Sequence, residues 1–104
     1  MSFFEYRNGE MHAEGVTLAA VAAQVGTPFY CYSAAALRAG WREFADAIKG
    51  MNAPHGASVA YAMKANSNLA VVRLFGEMGA GADIVSVGEM RRALAAGIPA
   101  DRII

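Results

Sequence analysis

The hydrophobic and polar positions follow strand spacing in some stretches of the chain and helical spacing in others. The clearest strand pattern is the uncharged run Ser58–Met63, which ends directly before Lys64. Because successive side chains of a strand point to opposite faces, Val59, Tyr61 and Met63 are expected on one face. Lys64 then shares the other face with small residues, so we expect open space beside its long side chain.

Three stretches carry apolar residues at spacings of three and four, which is typical of helices with one buried stripe. We predict these helices at about 34–49, 68–78 and 88–96. Ser33 is the expected N-cap of the first, and residues 66–68 supply turn and cap chemistry before the second. The residues predicted to face inward are Leu37, Trp41, Phe44 and Ile48, then Leu69, Val72, Phe75 and Met78, then Met90 and Leu94.

Short apolar runs bounded by turn residues predict further strands. They lie at Phe29–Tyr32 and Ala82–Ser86, and Ile103–Ile104 begins another. Cys31, within the first of these runs, is expected to be a small core residue. Pro99–Arg102 is expected to turn the chain before the last strand.

The N-terminal residues predict a hairpin followed by a short helix. Asn8–Gly9 separates the runs 3–6 and 10–13, and both turn residues accept a positive φ angle. Thr17 is the expected N-cap of a helix at Leu18–Val25, and Gly26 suits the position just past its end.

From residue 58 onward, strands and helices alternate with short turns between them. This order predicts an α/β fold with parallel strands and right-handed helical crossovers. An open doubly wound sheet and a closed eight-stranded barrel share the pattern, so periodicity alone does not choose between them.

Composition and charge narrow the classes of function. The chain has 104 residues, 56% of them hydrophobic, and its formal net charge is zero. These values favour one small globular domain, and argue against nucleic-acid or membrane-surface binding, which needs a basic excess.

The single cysteine, Cys31, permits neither an internal disulfide nor a cysteine-based zinc site, which fits a reducing, cytoplasmic compartment. We expect neither a signal peptide nor a membrane-spanning helix.

Lys64 is the first candidate for chemistry. A lysine at a strand end is often a solvated charge that leaves the core. At the rim of a rigid sheet, however, a partly desolvated amine is a suitable nucleophile for a Schiff base. Both interpretations stay open on the pattern alone.

The motif Tyr61–Asn66, continued by Ser67–Asn68, resembles the lysine motif of pyridoxal-phosphate enzymes built on an alanine-racemase-like barrel. Within that group it is most similar to the diaminopimelate decarboxylases. Met63 and Val87 depart from the usual valine and glycine, but neither change removes a chemical group. Further collinear motifs carry the resemblance from about Phe4 to Ile104: Gly26–Tyr30 with Tyr32–Ser33, Gly79–Ser86 with Gly88–Glu89, and Gly97–Pro99 with Arg102–Ile104.

The resemblance implies an incomplete N-terminal portion of a (β/α)8 TIM-type barrel that binds pyridoxal 5'-phosphate, preceded by a short hairpin. Residues 1–26 would form the hairpin and short helix, and residues 27–104 the first part of the barrel. Lys64 is implied as the catalytic residue, bound to the cofactor as a Schiff base. The implied cofactor-binding residues are Lys64, Ala62, Asp83 and Glu89, and no metal is implied. Ser86 has an alternative interpretation as a helix cap, and Glu89 as a first-turn carboxylate favoured by the helix dipole.

The implied activity is the decarboxylation of meso-2,6-diaminopimelate to L-lysine in a cytoplasmic homodimer. The alternatives are another basic amino-acid decarboxylase, for ornithine, arginine or carboxynorspermidine, and a non-catalytic truncated fragment. Because a barrel needs about 250 residues, we expect the chain to be a piece of one that has no appreciable activity alone. The phosphate-binding turn and the substrate-binding loop would lie beyond Ile104.

Overall fold

The computed structural model describes residues 2–104, which divide into two compact units. One unit contains the residues up to Ala39, and the other runs from Gly40 to Ile104. The predicted boundary after residue 26 stays a prediction.

The first unit contains a three-stranded antiparallel sheet in the order β1, β2, β3. Its strands are β1 at Phe4–Arg7, β2 at Glu10–Ala13 and β3 at Val16–Thr17. Asn8 and Gly9 join the first two with φ angles of 51° and 82°, which confirms the predicted hairpin. The strand β3 was not predicted, because two residues are too few to show an alternating pattern.

Helix α1 spans Leu18–Val25, as predicted. The Thr17 hydroxyl accepts a hydrogen bond from the Ala20 N–H at 3.1 Å and so satisfies one of the free donors of the first turn. Gly26, with a φ of 80°, ends the helix by donating to the Ala22 carbonyl.

The prediction of a strand at Phe29–Tyr32 is wrong, because these residues form no regular element. A strand needs a hydrogen-bonded neighbour, and no segment within residues 2–104 pairs with them. Cys31 is half-buried, whereas Tyr30 is 89% exposed and its ring stacks on that of Tyr32.

Helix α2 spans Ala34–Lys49, within the predicted bounds. The Ser33 hydroxyl caps it by accepting from the Ala36 N–H at 3.0 Å. Its apolar stripe is only partly covered, because Phe44 remains 65% exposed and Trp41 is half-buried. The Trp41 ring lies 6.4 Å from that of Phe75.

The second unit contains a parallel sheet. Strand β4 at Ala60–Ala62 pairs with β5 at Gly81–Asp83. Ile103 forms an isolated parallel bridge with Ala82 of β5. Helix α3 at Leu69–Glu77 connects the two strands, and helix α4 at Val87–Ala95 follows β5. The predicted alternation of strands and helices with parallel pairing is confirmed.

The strands of this sheet are shorter than predicted. β4 ends at Ala62, where a 3₁₀ turn at Met63–Ala65 begins, and a second 3₁₀ turn at Ala100–Arg102 precedes Ile103. β5 cannot extend to Ser86 because the side chain of that residue caps α4.

The core of the second unit is made of small and medium side chains. Met63, Val72 and Ile98 are its largest fully buried members, and Ala82, Ala93 and Ala96 complete it. The prediction that Met90 and Leu94 point inward is wrong, since both are substantially exposed and Ala93 occupies the buried face of α4. Leu69, also predicted to be buried, lies exposed in the first turn of α3.

Within residues 2–104, none of the helices combines the length and the apolar character that crossing a membrane requires.

Candidate functional site

The sheet of the second unit has one covered face and one open face. The Tyr61 ring packs on Phe75 of α3, with 4.7 Å between the ring centroids. Ala82, Ile84 and Ile103 pack against the same core. Because side chains alternate along a strand, Ala60 and Ala62 project from the opposite face.

The register of the two strands identifies the rest of the open face. Ala60 pairs with Gly81, and Ala62 pairs with Asp83. Partners in register project to the same side of a sheet, so these four residues form one surface, which we call the open face. Ala60 and Ala62 are half-buried and Asp83 is exposed, whereas Gly81 is buried, so the accessible part of this surface is formed by the two alanines and the Asp83 carboxylate.

Gly81 is required by close packing of the backbone. A Cβ atom at this position would lie 2.5 Å from the Arg102 carbonyl oxygen, closer than real Cβ contacts occur. The absence of a side chain therefore lets the Arg102 backbone approach β5 and occupy the space that a Gly81 side chain would take.

Lys64 lies in the 3₁₀ turn directly after β4, as its position at the end of the predicted strand implied. Met63, before it, is fully buried and anchors the turn in the core, whereas Lys64 is exposed. No carboxylate within residues 2–104 forms an ion pair with its amine. The lysine is thus a solvent-accessible primary amine on an anchored turn at the C-terminal end of the sheet.

The loop after Lys64 is ordered by hydrogen bonds. The Tyr61 hydroxyl donates to the Asn66 carbonyl at 2.7 Å, and the Asn68 N–H donates to Asn66 Oδ1 at 3.0 Å. Asn68 Oδ1 then accepts from the Ala70 and Val71 N–H groups and caps α3. The predicted capping role of this loop is confirmed. The bond from Tyr61 was not predicted, because nothing in the sequence pattern links a strand tyrosine to a carbonyl five residues later.

Asp83 and Glu89 lie on opposite sides of a short turn. Asp83 ends β5 with an exposed side chain, and Glu89 lies in the first turn of α4. Glu89 Oε2 accepts a hydrogen bond from the Val85 N–H at 2.6 Å, and the Ser86 hydroxyl accepts from the Glu89 N–H at 3.1 Å. This confirms the cap interpretation of Ser86. The spacing Ser86-x-x-Glu89 is the capping-box signature and would have predicted the bond from the Glu89 N–H to Ser86. The Glu89 carboxylate departs from that pattern, because it accepts from the Val85 N–H and not from the N–H of the cap residue itself.

The predicted site residues therefore lie around the C-terminal end of the sheet. Ala62 and Asp83 are neighbours in the pairing, Lys64 follows Ala62 by two residues, and Glu89 holds the turn after Asp83. The structure joins neither Asp83 nor Glu89 to Lys64 by an ion pair. Within the described part of the chain, no group of three or more histidine, cysteine or acidic side chains is arranged to hold a metal ion.

The chemistry of these residues fits pyridoxal phosphate. An exposed primary amine on an anchored turn can bond to the cofactor aldehyde, and the small side chain of Ala62 leaves room for a flat ring. Carboxylates beside the ring can accept hydrogen bonds from its polar substituents or from a substrate amine.

A protein-family comparison matches residues 34–104 to the pyridoxal binding domain of the pyridoxal-dependent decarboxylases. The matched range contains Lys64 and every other candidate site residue. It begins at the first residue of α2.

Individual proteins show the same similarity. The chain is 54% identical over its whole length to diaminopimelate decarboxylase of Pseudomonas fluorescens, of which it covers 24%. It is 44% identical to that of Aquifex aeolicus, with 98% of this chain and 23% of that one covered. The chain thus spans about a quarter of the length of these relatives.

Solved structures agree with the sequence comparisons. A crystal structure of a protein from Aquifex aeolicus, 44% identical, matches 97% of this chain and 24% of its own with a TM-score of 0.87. Diaminopimelate decarboxylase of Methanocaldococcus jannaschii in complex with L-lysine, 32% identical, matches 98% of this chain and 24% of its own with a TM-score of 0.83. The predicted resemblance and the predicted fold class, an α/β portion of a TIM-type barrel, are both confirmed.

Proposed function

Because the chain belongs to the pyridoxal-dependent decarboxylases, through their pyridoxal binding domain, we propose that Lys64 and the open face hold pyridoxal phosphate in an amino-acid decarboxylase. The observation that supports this proposal most strongly is the position of Lys64. It is an exposed residue in the turn that follows β4 directly, two positions after Ala62, which pairs with Asp83. In β/α barrels the reacting groups lie at the C-terminal ends of the strands.

In this proposal, each site residue has a distinct part. Lys64 Nζ would hold the cofactor through its aldehyde and would hold or deliver a proton near the reacting carbon. Ala62 leaves room for the ring. Asp83 and Glu89 would border the cofactor with their carboxylates, and Glu89 holds the turn after β5 through Val85. The bound cofactor supplies an electron sink for the electron pair that remains when carbon dioxide leaves.

The proposed reaction is the conversion of meso-2,6-diaminopimelate to L-lysine and carbon dioxide. It is supported by the relatives named diaminopimelate decarboxylase, among them the one with 54% identity over the whole chain. The formal net charge of zero is consistent with a small-molecule substrate, because it creates no general attraction to nucleic acid or anionic lipid. We further propose a cytoplasmic homodimer, in line with the family resemblance.

The activity test uses the complete gene product, by which we mean the protein translated from the whole reading frame in which the codons for residues 1–104 lie. Carbon dioxide release would be measured with meso-diaminopimelate and, as competing substrates, with ornithine, arginine and carboxynorspermidine. We expect release from meso-diaminopimelate, with L-lysine as the product. Preference for another of these substrates would overturn the assigned reaction, and no release from any of them would indicate the non-catalytic alternative.

Lys49 provides a matched control, because the chain contains only two lysines. Lys49 lies at the end of α2, where its amine pairs with Asp46 at 3.0 Å. We expect Lys64→Ala to lower kcat by roughly 10³-fold, as expected when a group that bonds to the cofactor and moves protons is removed. Lys49→Ala should retain the wild-type rate. Equal rates in the two variants would contradict the proposed role of Lys64.

A further inference from the structure

Tyr61 connects the covered face of the sheet with the loop after Lys64. Tyr61 belongs to β4, and its ring packs on that of Phe75 with 4.7 Å between the ring centroids. Its hydroxyl extends past the strand end and donates to the Asn66 carbonyl at 2.7 Å. One side chain thus contacts both the helix behind the sheet and the loop at its C-terminal end.

Lys64 lies within the segment that this hydrogen bond closes. The chain leaves Tyr61, passes through the 3₁₀ turn at Met63–Ala65, and returns to the Tyr61 hydroxyl at Asn66. Met63 is fully buried on one side of the lysine, and Asn66 is held on the other. The lysine backbone is therefore fastened at both ends, although its side chain is exposed.

A second side chain holds the same loop from α4. Arg92 Nη1 donates to the Ser67 carbonyl at 3.3 Å, a longer and more exposed bond than that of Tyr61. The two consecutive carbonyls of Asn66 and Ser67 are thus bound by side chains from two different elements. Since side chains of the surrounding fold hold both carbonyls, the loop position is set by tertiary contacts as well as by its own turn chemistry.

We propose that Tyr61 is a positioning residue for Lys64: its hydroxyl bond to Asn66 holds the turn in the position from which the amine reaches the cofactor. The inference rests on the proposed function. If Tyr61 were merely structural, its hydroxyl would affect stability and leave the reactivity of Lys64 toward pyridoxal phosphate unchanged. These two roles make different predictions for Tyr61→Phe, which keeps the ring and removes only the oxygen.

The test measures how selectively pyridoxal phosphate reacts with Lys64 in the complete gene product. The amine condenses with the cofactor aldehyde with loss of water, and added borohydride delivers hydride to the carbon–nitrogen double bond. The stable adducts on Lys64 and Lys49 are then counted by peptide mass spectrometry. The visible absorbance of the lysine-bound cofactor, recorded before reduction, gives a spectroscopic readout on the same samples.

We expect wild type to label Lys64 in preference to Lys49. Tyr61→Phe should lower the Lys64 labelling rate about fivefold, the factor that one neutral hydrogen bond typically contributes. Lys49 labelling should stay unchanged, and the absorbance of the bound cofactor should weaken in parallel. Hydrogen exchange of the amides in residues 65–68 should become faster in the same variant.

Two controls separate positioning from stability. Ile98→Val removes one methyl group from a side chain that is 1% exposed, so it lowers stability while leaving the Tyr61 hydroxyl in place. Tyr30→Phe removes a hydroxyl from a tyrosine that is almost fully exposed. Both variants should keep the wild-type preference for Lys64.

The outcomes distinguish this inference from the proposed function. If wild type labels Lys64 and Lys49 equally, the proposed function is wrong and the inference falls with it. If wild type is selective but Tyr61→Phe labels Lys64 within twofold of the wild-type rate, the inference alone is overturned. It is overturned as well if Ile98→Val, compared with Tyr61→Phe at an equal thermal midpoint of unfolding, loses as much of the preference for Lys64 as Tyr61→Phe does.

Discussion

Ala62 and Asp83 are direct partners in the parallel pairing of β4 and β5. Adjacent strands lie about 4.8 Å apart, so the methyl group of one residue and the carboxylate of the other are neighbours on the open face. Lys64 lies in the 3₁₀ turn that follows Ala62. A small residue next to an acid, with an accessible amine just beyond, is the arrangement on which the proposed cofactor site depends.

Filling the open face at Ala62 should exclude the cofactor. We expect Ala62→Leu to lower pyridoxal labelling of Lys64 by roughly tenfold, because the added atoms would occupy the space assigned to the ring and overpacking costs about 1–3 kcal/mol. Ala95→Leu, on the exposed side of α4, provides the control for a general effect of added bulk. Labelling of Ala62→Leu at the wild-type rate would show that the ring does not lie over this residue.

Adding a methyl group at Gly81 should destabilise the sheet. The new Cβ atom would meet the Arg102 carbonyl oxygen, and because that atom belongs to the backbone it cannot rotate away. We expect Gly81→Ala to lower the free energy of unfolding by about 1–3 kcal/mol in a denaturant titration. Gly40→Ala, in α2 with nothing within 4 Å of its Cβ position, should instead raise it by about 1 kcal/mol. A neutral Gly81→Ala variant would contradict the close backbone approach.

The Glu14 carboxylate should make stability depend on pH. The Ala35 N–H and then the Ser33 hydroxyl donate hydrogen bonds to it and hold the pKa of Glu14 below its usual value of 4.5, with a smaller contribution from Arg38. A lowered folded-state pKa stabilises the fold above the unfolded-state pKa, and this contribution is lost as the pH falls through the folded-state pKa.

Thermal unfolding of wild type and Glu14→Gln, measured from about pH 7 down to about pH 3, tests this prediction. Wild type should be the more stable protein at the upper end, and the difference should shrink as the pH falls below 4.5. Glu43→Gln, whose carboxylate forms no hydrogen bond or ion pair with any residue of the range 2–104, should show no such trend. A difference that stays constant with pH would refute the proposed origin of the effect.

Local chemistry explains what could be predicted from the sequence. Thr17 and Ser33 cap the helices that they were expected to cap, and Asn68 is the cap among the residues 66–68 that were expected to supply one, because an N-cap bond involves only residues two or three positions apart. The asparagine–glycine hairpin was predictable for the same reason. The position of Lys64 followed from a run of six uncharged residues that ends at a single charge.

Features that depend on distant partners were not predictable in the same way. Residues 29–32 have the composition of a strand, but a strand exists only where another segment pairs with it. Met90 and Leu94 follow helical spacing, yet Ala93 lies on the buried face, because the packing of α4 against the core selects which side of the helix is covered. The bond between Tyr61 and Asn66 depends on the direction in which the 3₁₀ turn leaves the strand, which the sequence does not state.

The central claim is that Lys64 is the residue that holds pyridoxal phosphate, and borohydride reduction of the complete gene product with the cofactor tests it most directly. After proteolysis, the position of the reduced adduct is read by mass spectrometry, with Lys49 as the internal comparison. We predict an adduct predominantly on Lys64, and its loss in Lys64→Ala with no compensating gain on Lys49. An adduct spread equally over both lysines, or one found elsewhere while Lys64 stays unmodified, would contradict the account.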